Sequence, residues 1–78
     1  LTAPDVVLNL WTVYERPSDY PQGFVARLHH AYANGTHGPT SLACYGPSLE
    51  SVRAQLPGGL YNLGRQPDDD PCIVETWI

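Results

Sequence analysis

Residues 6–15 read Val-Val-Leu-Asn-Leu-Trp-Thr-Val-Tyr-Glu. Branched and aromatic side chains crowd this stretch, a composition that packs well on a pleated surface. Successive side chains of a strand point to opposite faces. Leu8, Leu10, Thr12 and Tyr14 therefore share one face, and Val7, Asn9, Trp11 and Val13 the other. Both faces carry bulky apolar groups, which predicts an interior strand rather than an edge.

The flanking sequence supplies its neighbours. Residues 17–23 hold Pro17, Pro21 and Gly23 around Ser18-Asp19, a loop signal. Residues 24–32 alternate again, predicting a second strand in a hairpin with the first. Asn34-Gly35 centres a second loop over residues 33–39. With Thr36 it also matches a glycosylation sequon, but the turn reading is preferred. Residues 40–45 predict a short third strand.

Gly46-Pro47-Ser48 then opens a helix. The Ser48 hydroxyl can accept one of the first unpaired amides. Glu50 sits in the first turn, where the dipole favours an anion. Leu49, Val52 and Leu56 form one apolar stripe, and Glu50 and Arg53 can pair on the outer side. Pro57 and Gly58-Gly59 stop the helix after about two and a half turns. Residues 60–64 and 72–78 predict the last two strands, separated by the polar loop 65–71.

The expected fold is therefore a single α+β domain over residues 1–78. Its order is β-β-β-α-β-β, a mainly antiparallel sheet of four or five strands with one short helix on one face. A single short helix covers only one face. The other is expected to stay apolar and open, with one of the two tryptophans on most registers. Such a face marks a partner surface.

Composition narrows the function classes. Eight acidic residues against four basic ones leave a net charge of −4. Arg16, Arg27, Arg53 and Arg65 are scattered, and Asp68-Asp69-Asp70 repels a phosphate backbone, so nucleic acid is disfavoured. Eight prolines and seven glycines keep the segments short. No apolar run reaches the roughly 18 residues of a membrane span. Residues 6–13 are short, interrupted by Asn9 and preceded by no basic stretch, so they are not read as a signal peptide.

Motifs for chemistry are weak. His29, His30, His37, Cys44 and Cys72 are metal-ligand types, but no CxxC, HxxxH or HExxH is present. His29 and His30 point to opposite faces of a strand, and His29 reaches His37 only if the loop folds back. The Asp68–Asp70 run lacks the glycine and terminal glutamate of a calcium loop and reads as an acidic turn. Cys44 with His37, or Cys72 with a histidine, has no nucleophile context. The cysteines read as small buried apolar residues, with one bridge as the alternative. No catalytic residue, metal or cofactor is expected. Arg and Tyr serve binding hot spots well. The candidate interaction residues are therefore Tyr14, Arg16, Tyr20, Phe24 and Arg27 around the first hairpin, with Trp77. The competing structural reading has Tyr14 and Phe24 closing the core and Arg27 paired with Glu75.

The strings Trp11-Thr12-Val13-Tyr14, Pro17-Ser18-Asp19-Tyr20-Pro21 and Phe24-Val25-Ala26-Arg27 form a distinctive layout. Ser48-Leu49-Glu50, Leu56-Pro57-Gly58-Gly59-Leu60, Asp69-Asp70-Pro71 and Val74-Glu75-Thr76-Trp77 continue it. From Leu10 onward the chain resembles a set of small uncharacterised bacterial proteins. The resemblance implies a bacterial cytoplasmic protein and carries over no mechanism and no site residues. The expected function is a non-enzymatic protein–protein interaction or adaptor domain that self-associates as a homodimer through an uncovered sheet face or edge. Single-stranded nucleic-acid binding through the hairpin aromatics, or a small metal-dependent domain, are the alternatives.

Overall fold

The computed structural model describes residues 5–78; residues 1–4 of the expected domain lie outside the described part. The elements are β1 (Val6–Glu15), β2 (Phe24–Tyr32), β3 (His37–Gly46), α1 (Leu49–Arg53), β4 (Asn62–Gly64) and β5 (Ile73–Trp77). They form a five-stranded sheet in the order β3-β2-β1-β5-β4. Every neighbouring pair is antiparallel. The α+β expectation and its element order are met. β1 is the central strand, as its two apolar faces required.

α1 lies across one face. Val52 is fully buried there against Trp11, Val13 and Ala26, with Phe24, Leu28, Leu49 and Leu56 packed around them. The register explains this set: Trp11 faces Leu28, Val13 faces Ala26 and Glu15 faces Phe24. Directly opposed residues share a face.

The helix is shorter than its apolar stripe suggested. The Leu56 amide bonds to the Arg53 carbonyl at 3.2 Å and that of Gln55 to Val52 at 3.1 Å. These are tighter three-residue steps. Pro57 disfavours helical backbone at Leu56, which explains the early end. The start is as expected: Ser48 and Ser51 form a reciprocal capping box, each side chain accepting from the other's amide at 3.2 Å. Ser48→Ala should lower stability by about 1 kcal/mol, read as a shift in the urea midpoint at constant slope.

Two bulges set the faces. Arg27 pairs with Ala43 and His29 with Pro39, so β3 carries extra residues between them. β3 therefore runs longer than the expected 40–45. Pro39 is tolerated because β3 is an edge strand. Val13 pairs with Glu75 while Tyr14 pairs with Ile73, so Val74 is the extra residue of β5. Strict alternation would have split Val74 from Glu75. The bulge instead turns both toward the helix and leaves Ile73 and Thr76 on the opposite face.

β4 is shorter than the expected 60–64, although Tyr61 and Ile78 exchange amide hydrogen bonds at 2.7 and 3.0 Å and prolong its pairing. At the second hairpin, Asn34 Oδ1 accepts from the Thr36 amide at 3.1 Å and its hydroxyl at 2.6 Å. Gly35 takes φ 87°. Asn34-Gly35 thus acts as the turn its sequence predicted.

Candidate functional site

The face opposite α1 is covered by no other element among the described residues. It forms an open groove of about 510 Å³. Leu8, Leu10, Thr12 and Tyr14 of β1 make its floor with His29 and Ala31 of β2. Ile73 and Thr76 of β5 continue it, and Leu63, Gln66, Asp69 and His37 stand at its margins. Leu8 is 42% exposed and Leu63 43%.

Within the groove the Tyr14 hydroxyl lies 3.2 Å from His29 Nε2. Burial raises the Tyr14 phenol above its ordinary value, with Arg27 opposing. Burial lowers His29, and the positive field of Arg27 and His37 adds to this. Both shifts favour neutral groups. A harder-to-ionise phenol beside a weaker base makes a polar contact, not an activated nucleophile.

The expected interaction residues do not form one patch. Tyr14 and Arg27 lie on the open face; Arg27 Nη2 is 3.3 Å from Asp19 Oδ2. Tyr20 packs edge-on against Tyr45, with ring centroids 5.2 Å apart. Tyr45 pairs with Val25 and so stands on that face too. Pro17 and Asp19 fold over Val25, which is 1% exposed. Arg16 takes a left-handed backbone, φ 48°, and its amide closes the loop on the Gly23 carbonyl at 2.8 Å. Its role in the hairpin is to reverse the chain.

Phe24 and Trp77 are on the helix-covered face, packed against the core. Trp77 pairs with Trp11, so both tryptophans share that face, and the expected tryptophan on the open side is corrected. The reason is register: opposed residues cannot be separated across a sheet.

Sequence reading also missed the polar cluster beneath α1. Glu75 is 3% exposed yet ionised, held by Arg53. Arg53 Nε donates to Oε2 at 2.8 Å and Nη2 to Oε1 at 2.5 Å. Trp77 Nε1 donates to Oε2 at 2.5 Å, and Asn62 Nδ2 approaches Oε1 at 3.5 Å. The Arg53 guanidinium also lies over the Trp77 ring, 5.8 Å from its centroid. Glu75 thus pairs with Arg53, not Arg27, and Arg53 turns inward instead of pairing with Glu50. A carboxylate whose lone pairs are filled by fixed donors is a clamp rather than an acid or base. The available signal was a single glutamate inside an otherwise apolar strand.

The remaining ligand types are dispersed. Among the described residues no three His, Cys, Asp or Glu side chains are grouped to hold a metal ion. Cys44 pairs with Ala26 and faces the core, whereas His37 lines the groove on the other side. Those two cannot act together. Cys44 and Cys72 are both free thiols, half-buried. Asp69 accepts from the Gln66 amide at 2.8 Å and Asp70 from the Cys72 amide at 3.0 Å. Those carboxylates fold their own loop, the acidic turn expected. No helix among the described residues is long and apolar enough to cross a membrane.

Comparison of the chain with known protein families, with curated proteins and with solved structures finds no match.

Proposed function

We propose that the protein is a non-enzymatic interaction domain that self-associates through the open face of its sheet, in a bacterial cytoplasm. The observation that carries this reading is the apolar groove opposite α1. Its floor is built from the central strand, where a sandwich would place a second layer.

The small core supports it. The fully or nearly buried apolar side chains are Trp11, Val13, Val25, Ala26 and Val52. Small domains with so little core are commonly stabilised by disulfides, metals or association. Both cysteines are free thiols and the metal-ligand side chains are dispersed, which favours association.

The edges are less suited than the face. β3 has Pro39 without an amide proton, a bulge beside it, and the Leu42 amide already held by Thr40 Oγ1 at 3.1 Å. These devices blunt strand addition. At the other edge β4 is only three residues long. Nucleic acid is disfavoured on the same face, because Asp19 neutralises Arg27 and Asp69 stands at the groove's margin.

Light scattering after size exclusion, across a concentration series, tests the reading. A mass near twice 8.6 kDa is expected at high concentration. Leu8→Glu and Leu63→Glu should each give monomers with nearly unchanged thermal midpoints, since both side chains are exposed in the single chain. A wild-type protein that stays monomeric throughout would refute the proposal.

A further inference from the structure

The two charged or ionisable groups at the groove's margins lie at diagonal corners. His37 opens β3 and pairs with Ala31, which pairs in turn with Leu8. It therefore stands at the Leu8 end of β1, on the β3 side. Asp69 belongs to the loop entering β5, whose Ile73 pairs with Tyr14. It stands at the Tyr14 end, on the β4–β5 side.

A face-to-face homodimer has its two-fold axis in the plane between the sheets. With the axis parallel to the strands, His37 and Asp69 each meet neither the other nor themselves. With the axis along the diagonal joining the other two corners, His37 falls opposite Asp69 of the partner subunit, and the contact occurs twice. This operation also crosses the strands of the two sheets at near right angles, one of the two preferred packings of sheets. The corner that then meets its own copy on the β2–β3 side carries Arg27. Its charge is already matched by Asp19 at 3.3 Å, so repulsion there is small.

Resting on the self-association reading, we infer that a second copy of this chain lies crossed over the groove, with His37 of each subunit against Asp69 of the other. The occupant is thereby a copy of the same chain, chosen by charge complementarity and by the fit of two apolar floors.

Sedimentation equilibrium on the full chain tests this with His37→Glu, Asp69→Asn and the double variant. Asp69→Asn removes charge but keeps an oxygen for the Gln66 amide, so its loop is retained. His37 is exposed, so its substitution leaves the fold intact. In the wild-type background, His37→Glu sets like charges together and should weaken the dimer about tenfold or more. In the Asp69→Asn background the same change should cost less than about threefold. Equal weakening in both backgrounds, or none in either, overturns the crossed arrangement and leaves self-association standing. A monomeric wild type overturns both.

Discussion

Glu75→Ala should lower the stability of the fold by about 2–4 kcal/mol, a large part of what so small a domain has. The carboxylate sits beneath α1 with 3% exposure and serves three partners at once. Truncation leaves the Trp77 indole N–H without its acceptor and a cavity beside it. Arg53 escapes the full penalty of a stranded charge, because 41% of its side chain already faces solvent. The loss should appear as a lower urea midpoint followed by tryptophan fluorescence. Glu75→Gln supplies the pH test. The Arg53 hydrogen bonds hold the Glu75 carboxyl below its ordinary 4.5, against the opposing effect of burial. A lowered folded value means that the stabilisation is complete above about 4.5 and is lost as pH falls through the folded value. The wild type should therefore lose its advantage over Glu75→Gln across that acid window and keep it at neutral pH. Equal stability of the two at pH 7 would contradict the clamp.

Much of the fold is legible in the sequence, because it depends on local signals. The two apolar faces of residues 6–15 place β1 at the centre of the sheet. Asn34-Gly35 and Ser48 do what their turn and cap chemistry dictates. The site is harder to read, because it depends on register. A bulge at Val74 turns Glu75 and Trp77 inward together, and no periodic pattern announces a bulge. The arginines illustrate the same limit. Arg27 and Arg53 each had a carboxylate within plausible reach, Glu75 and Glu50. Only the tertiary path of the chain delivers Arg53 to Glu75 and Asp19 to Arg27. The open face was visible as a consequence of one short helix, whereas its residues were assigned partly to the wrong side. Aromatic type alone does not tell a core ring such as Phe24 from a groove ring such as Tyr14.

Val52→Ala should cost about 2–3 kcal/mol, from lost methyl burial and the cavity it leaves. Val52 is the fully buried side chain of α1, at 0% exposure against Trp11, Val13 and Ala26. A helix of five residues has no independent stability, so docking is what keeps it folded. Its contacts with the sheet run to β2 and β3, while Arg53 ties it to β5 through Glu75. Val52 and Glu75 therefore hold one helix from two sides, and their losses are coupled. Once either substitution loosens α1, the other has less left to break. The double variant Val52→Ala, Glu75→Ala should be less destabilised than the sum of the singles by about 1 kcal/mol. Hydrogen exchange should show the Val52, Ala54 and Gln55 amides losing protection in each single variant while the β1–β2 amides stay protected. Strict additivity, with the helix amides still protected in Glu75→Ala, would mean that the clamp fastens β5 alone and that α1 is held by its apolar side chain.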